Sequence, residues 1–243
     1  MCIRDRVIEA PTIEIVPPTD TSSIDNALRS LQANRRDDPT DPHTWVIFTS
    51  ANGVRATLDR MRQFRLDARL FSDRKIAVIG EPTARAVRDL LCIEPDCVPQ
   101  KFVAEALADE LIGRGEVKGH RFVLFRAEIA RPVLVEKLQQ AGAGSVEDIA
   151  VYETRIASGL PQEVADAIAG GAVDWITFTS SSTAKNFVAL LGDAYHEKFK
   201  DVRIASIGPV TTQSLKELGL EPTVQADQSD LAGLVAAVLS YSK

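Results

Sequence analysis

Short apolar runs alternate along this chain with longer segments in which apolar residues recur at helical spacing. Continuous apolar runs suit strands covered on both faces, and the amphipathic segments between them suit crossover helices, so the pattern predicts an α/β chain with parallel sheets. Strands are predicted over 45–49, 75–79, 93–98, 121–125, 175–179, 203–207 and 222–224. Helices are predicted over 23–33, 52–63, 82–91, 103–113, 132–140, 161–169, 182–191, 209–218 and 229–239. Pro82, Pro132 and Pro209 stand near first helical turns and Ser229 at a cap position, while Gly142, Gly192 and Gly219 stand where helices should stop. Residues 7–16 and 146–157 break the rhythm, being long for parallel core strands and carrying alternating polar residues. A pair of strands crossing from one lobe to another would explain both features.

The chain also repeats itself. Trp45-Val46-Ile47-Phe48-Thr49-Ser50 returns 130 residues later as Trp175-Ile176-Thr177-Phe178-Thr179-Ser180. Ile76-Ala77-Val78-Ile79-Gly80, with Thr83, returns 128 residues later as Ile204-Ala205-Ser206-Ile207-Gly208, with Thr211. The duplication predicts two lobes of about 120 residues, and two similar lobes usually hold a ligand between them. The first lobe is placed at 17–145 and the second at 158–243, with 7–16 and 146–157 connecting them. The copies are unequal: residues 120–146 supply a strand and a helix ahead of the second connector, where the first copy has only Met1-Cys2-Ile3-Arg4-Asp5-Arg6. The expectation is that the opening strand and helix are missing and that these six residues are not the natural ones.

The composition, 45% hydrophobic and 26% charged over 243 residues, is that of a globular protein. No apolar run approaches the ~20 residues needed to span a bilayer and no leader pattern opens the chain, so the expected location is the cytoplasm, without membrane contact. A formal net charge of −6 argues against nucleic acid, which is bound through basic stripes. Cys2, Cys92 and Cys97 lack Cys-x-x-Cys spacing, and His43, His120 and His196 are scattered without metal-ligand spacing. Neither a Gly-Lys-Ser/Thr phosphate loop, nor a Gly-x-Gly-x-x-Gly fingerprint, nor a Gly-x-Ser-x-Gly elbow occurs.

Candidate chemistry gathers at the repeated turns. Thr49-Ser50-Ala51-Asn52-Gly53 and Thr179-Ser180-Ser181-Ser182-Thr183 each end a predicted strand and open a helix, the place where open parallel sheets bind ligands. Free N–H groups, the helix dipole and the hydroxyls together favour a carboxylate or phosphate, although Ser and Thr also stand there simply as caps. Gly80-Glu81-Pro82-Thr83 and Gly208-Pro209-Val210-Thr211 occupy the same edge of the next strand-helix units, where glycine lets backbone approach a ligand. Tyr152 lies on the second connector. A phenol there could protonate a leaving group without adding negative charge beside an anionic substrate, or could be an amphipathic residue on a wet interdomain surface.

The order and spacing of several motifs together resemble the uroporphyrinogen-III synthase family. They are Phe48-Thr49-Ser50-Ala51-Asn52-Gly53-Val54, Phe125-Arg126-Ala127 to Arg131, Gly142-Ala143, Val151-Tyr152-Glu153-Thr154, Phe178-Thr179-Ser180-Ser181-Ser182 and Ile207-Gly208-Pro209-Val210-Thr211-Thr212. The resemblance runs from about Val7 to the end. It implies two flavodoxin-like parallel-sheet lobes joined by a two-stranded antiparallel ladder. The family's opening strand ending in Thr-Arg-Pro has no counterpart here, and Arg126-Ala127 replaces the more usual Arg-Gly. The implied activity is cyclisation of hydroxymethylbilane to uroporphyrinogen III, with loss of water and inversion of the last pyrrole ring, by a monomer without cofactor or metal. Transient contact with the preceding pathway enzyme is a further implication. Tyr152 matches the family's proton donor. Substrate carboxylates would be held around Thr49, Ser50, Asn52, Gly80, Thr83, Thr179, Ser180, Ser181, Ser182, Gly208 and Thr211, with Arg126 as a cationic candidate. The competing readings are a non-enzymatic two-lobed binding protein for a small anion and an inactive, N-terminally truncated synthase.

Overall fold

Strand residues in this chain sort into two cores by simple alternation. In the computed structural model, which describes residues 6–33, 43–192 and 199–241, strand β2 (Thr44–Phe48) is buried along its whole length. Val46 and Phe48 enter one apolar cluster while Trp45 and Ile47 enter another. The same division holds in β3 (Lys75–Val78), with Ile76 and Val78 opposed to Ala77, and in β4 (Arg121–Ala127), with Val123 and Phe125 opposed to Phe122 and Leu124. Period-two geometry thus gives a sheet covered on both faces, and each such side chain contributes on the order of 1.5–3 kcal/mol by leaving water.

These strands belong to a five-stranded sheet of order β1-β5-β4-β2-β3, in which β1 is Ile13–Val16 and β5 is Ser145–Ile156. The pairs β2 with β3, β2 with β4 and β4 with β5 are parallel. The Ala157 N–H donates to the Thr12 carbonyl at 3.1 Å. Parallel pairing from that bond would carry β1 past the end of β5, so β1 runs antiparallel and the sheet is mixed. One face is covered by α1 (Ser22–Ala33), α2 (Ala51–Gln63) and α3 (Glu81–Leu91), which bury Leu28, Val54, Met61 and Val87 among others. The other is covered by α4 (Ala104–Gly113) and α5 (Val133–Gln140) through Leu107, Leu111, Leu134 and Leu138.

A second, parallel sheet has the order β6-β7-β8, formed by Trp175–Phe178, Arg203–Ser206 and Val224–Gln225. It packs with α6 (Gln162–Ala169), α7 (Ser181–Leu191), α8 (Pro209–Glu217) and α9 (Leu231–Tyr241). The chain divides into two compact units, residues 15–154 and residues 1–14 with 155–243, so the α/β architecture is built twice.

Two predicted elements differ, and one element was not predicted. The run 93–98 forms only a single bridge, Cys97 with Ala77, because the Asp96 carboxylate accepts the Ile76 N–H at 2.7 Å and occupies the place of a ladder partner. Of the connector predicted at 7–16, only Ile13–Val16 is strand. A 3-10 turn at Ala68–Phe71, capped by Asp67, lies in a stretch that carried no prediction. The opening residues Met1 to Asp5, and with them Cys2, lie outside the described residues, as does His196.

Candidate functional site

Four parallel strands of the unit 15–154 deliver their C-terminal ends to one edge, and the predicted site residues of that unit gather there. Ser50 follows β2 and caps α2. Its backbone is extended (φ −154°, ψ 155°), its Oγ accepts the Gly53 N–H at 3.0 Å, and its carbonyl accepts the Val54 N–H at 3.2 Å. Thr49 and Asn52 flank it, both half-buried. Gly80 caps α3 after β3 with no side chain to offer, and a Cβ there would stand 3.2 Å from the Phe102 ring. Thr83, one turn on, is only 5% exposed, with its N–H donating to the Gly80 carbonyl at 3.0 Å.

Tyr152 reaches this edge through an irregularity in β5. The β4-β5 register runs regularly to Arg126 opposite Ala150, then skips a residue to pair Ala127 with Tyr152. A regular strand would send Val151 and Tyr152 to opposite faces, yet both enter the same apolar cluster, because the bulge re-aims the second side chain. The phenol is 7% exposed rather than wet, and its oxygen lies 2.9 Å from Ser50 Oγ.

Arg126, proposed from sequence as a cation for substrate, is engaged internally. Its Nε and Nη2 pair with both carboxylate oxygens of Asp148, and its Nη1 donates to the Arg131 carbonyl at 2.8 Å. The guanidinium is 6% exposed and its charge is matched, so it holds the loop after β4 rather than offering a free cation. The same loop is tethered next to Tyr152, whose carbonyl accepts the Glu128 N–H at 2.9 Å. Ile129 stands on it 88% exposed, and Phe102 is 61% exposed over Gly80. Sequence inspection passed over both, since an exposed apolar residue has no local signature.

In the other unit, the repeated turn has the same backbone form. Ser180 (φ −162°, ψ 159°) caps α7 and accepts the Thr183 N–H at 3.1 Å, and its carbonyl accepts the Ala184 N–H at 3.2 Å. Its Oγ lies 3.0 Å from Ser182 Oγ and 2.8 Å from Thr183 Oγ1, so three hydroxyls cluster there beside an exposed Thr179. Ser181 Oγ donates to the Val210 carbonyl at 3.1 Å, joining this turn to the one at Gly208. At Gly208 the approach is close: a Cβ would stand 2.5 Å from Ser229 Oγ, and that hydroxyl would have to turn away. Thr211 is 4% exposed; its neighbour Thr212 instead joins a hydroxyl chain, 2.5 Å from Ser206 Oγ and donating to Gln225 Oε1 at 2.7 Å. Nothing local distinguishes Thr212 from Thr211, so only the fold assigns that network.

Among the described residues no cluster of three or more His, Cys, Asp or Glu side chains could hold a metal ion, and no helix is long and apolar enough to cross a membrane.

Comparison with known proteins places this arrangement in a lineage. The family model described as uroporphyrinogen-III synthase HemD matches residues 6–236. The chain belongs to the uroporphyrinogen-III synthase family. It is 32% identical over 244 residues to the uroporphyrinogen-III synthase of Synechococcus elongatus, covering 98% of this chain and 86% of that one. A putative uroporphyrinogen-III synthase of Methanothermobacter thermautotrophicus is 32% identical over 242 residues, covering 96% and 88%. The fold is shared with uroporphyrinogen-III synthetase of Helicobacter pylori, with a TM-score of 0.54 at 20% identity over 95% of this chain and 91% of that one. A mutant of the Thermus thermophilus synthase gives a TM-score of 0.51 at 18% identity, covering 96% and 86%. Members of this family are cyclising lyases of porphyrin biosynthesis, so the repeated turns and the tyrosine stand in a fold whose relatives are enzymes.

Proposed function

We propose that this chain is a uroporphyrinogen-III synthase, cyclising hydroxymethylbilane to uroporphyrinogen III with loss of water and inversion of the last pyrrole ring. The observation that carries the reading is the family match over residues 6–236. It is supported by a phenol held at the C-terminal edge of the larger sheet, 2.9 Å from a helix-capping serine. In this reading Tyr152 gives its proton to the departing hydroxyl. The C–O bond breaks with its electron pair going to oxygen, water leaves, and the pyrrole nitrogen feeds the vacated carbon to form an azafulvene. Attack by the substituted carbon of the last ring on the azafulvene methylene gives a spiro intermediate. The bond from that carbon to its original bridging methylene then breaks, leaving a second azafulvene on the third ring. The last ring's free α-carbon closes on that methylene and loses its hydrogen as a proton, which completes the inversion. Because the linear tetrapyrrole closes unaided to the uninverted isomer, the protein's part is to hold one folded conformation and assist hydroxyl departure.

Each unit is read as a flavodoxin-like lobe, with β1 and β5 as the ladder between them. Substrate carboxylates fall to the N-terminal turns of α2 and α7, where the side chains of Thr49, Asn52, Thr179 and Ser182 and the backbone N–H groups of Ser50 and Ser181 supply donors. Gly80, Thr83, Gly208 and Thr211 shape the adjoining turns. The apolar faces of the pyrrole rings fall to Phe102 and Ile129, whose exposure otherwise costs solvation. The test is incubation with hydroxymethylbilane followed by chromatographic separation of the product isomers. Type III product is expected, with its formation slowed ~100-fold or more in Tyr152→Phe, the range of a lost general acid. Type I product alone would sink the synthase reading, and unchanged turnover in Tyr152→Phe would remove the phenol from the mechanism.

A further inference from the structure

Ser50 has one hydrogen to give, and the geometry around it decides where that hydrogen goes. Its oxygen already accepts the Gly53 N–H at 3.0 Å, and Tyr152 Oη is its other close partner, at 2.9 Å. If the phenol donated to the serine, the phenolic hydrogen would point into the protein and be withheld from a ligand. If the serine donates, the phenolic oxygen is held from one side and its hydrogen remains available on the other. The Gly53 N–H favours the second arrangement, because a hydroxyl that accepts a hydrogen bond becomes a stronger donor.

We infer that Ser50 is a positioning residue that donates its hydroxyl hydrogen to Tyr152, aims the phenolic hydrogen at the substrate and holds the phenoxide left by proton transfer. This role rests on the synthase reading of the site. When the phenol protonates the leaving hydroxyl, water departs with the electron pair of the broken C–O bond and a phenoxide remains. That anion then accepts a charge-assisted hydrogen bond from Ser50 at the positive end of α2. It recovers its proton as the carbon that closes the ring loses its hydrogen, so the serine ends the cycle unchanged.

The second copy of the turn argues that this contact is more than helix capping. Ser180 makes the same cap, accepting the Thr183 N–H at 3.1 Å, but its oxygen meets two hydroxyls of its own turn, Ser182 and Thr183. A cap of this form therefore needs no tyrosine. The Ser50-Tyr152 contact joins residues 102 apart in sequence and exists only because β5 bulges where Ala127 pairs with Tyr152.

The experiment compares kcat and KM for type III formation by the whole chain carrying Ser50→Ala, Ser50→Asp, Ser50→Thr, Tyr152→Phe or Ser50→Ala with Tyr152→Phe. Ser50→Ala is expected to lower kcat ~10- to 100-fold with KM moved less than ~3-fold, the loss of one hydrogen bond to a group that becomes charged. Ser50→Asp keeps the cap acceptor but has no hydrogen to donate, so it should fold stably and be as slow as Ser50→Ala. Ser50→Thr should recover most of the rate. In the Tyr152→Phe background, Ser50→Ala should cost nothing further, because the two act as a unit. An unchanged kcat in Ser50→Ala, full activity in Ser50→Asp, a rise in KM alone, or the same loss with and without the phenol would each overturn the inference. Those results leave the synthase reading standing, which fails separately if the unsubstituted chain yields only the type I isomer.

Discussion

Cys92 ends α3 in the left-handed conformation, φ 56° and ψ 36°, at a position that glycine usually fills. Its side chain is exposed and its N–H donates to the Arg88 carbonyl at 3.0 Å, so the turn is kept although the residue is strained. Cys92→Gly should raise stability by ~0.5–1 kcal/mol, the left-handed penalty less the added unfolded-state entropy of glycine. Urea titration measures it, and a lowered midpoint would show that the cysteine side chain contributes packing. Local chemistry made Ser50 and Ser180 legible as the starts of helices, because a cap is a relation between neighbours. The pairing of Arg126 was not legible for the opposite reason. Its partner Asp148 is 22 residues away, and no pattern in either segment announces the pair.

Between elements, the clearest electrostatic tie joins α1 to α2. Arg60 Nε and Nη2 donate to the two Asp25 oxygens at 2.6 and 2.7 Å, and Nη2 also reaches Thr21 Oγ1 at 3.0 Å. The hydrogen bonds from Arg60 hold the Asp25 carboxyl below its ordinary 3.8. A carboxyl lowered on folding stabilises the native state above its unfolded pKa, and that contribution disappears as pH falls through the folded one. Asp25→Asn should therefore cost ~1–2 kcal/mol near neutrality, with the difference from the parent flat down to about pH 5, shrinking as pH falls past ~3.8 and gone once pH is below the lowered pKa of the folded state. Urea midpoints at several pH values measure this, and a difference that does not shrink as pH falls from about 5 would exclude the ion pair as its source. Helix and strand order was readable because each amphipathic segment carries its own period. The run 93–98 was not, since its apolar residues look like a strand while Asp96 takes the Ile76 N–H that a strand would have paired.

For the whole molecule, the apolar clusters divide as the chain does. Every buried member of the two clusters on the five-stranded sheet comes from residues 24–152, and every buried member of the other two from residues 164–234. Residues 12–157 expressed alone should thus fold and unfold in one cooperative transition by circular dichroism, retaining both faces of the larger sheet. A fragment without a cooperative transition would show that the larger unit depends on the rest of the chain. The copies are unequal in burial: β2 is closed along its length, while β6, at the edge of the smaller sheet among the described residues, leaves Trp175 and Ile176 part-exposed and Thr177 exposed. Apolar α9 likewise buries Leu234 but exposes Leu231, Val235, Leu239 and Tyr241. By itself the sequence determined the alternation of strands and helices, the duplication and the capping turns, because periodicity and capping act over a few residues. The tertiary structure decided that Arg126 is paired, that β5 bulges and that Tyr152 meets Ser50. Those contacts depend on the register between distant strands, which backbone pairing and core packing set together.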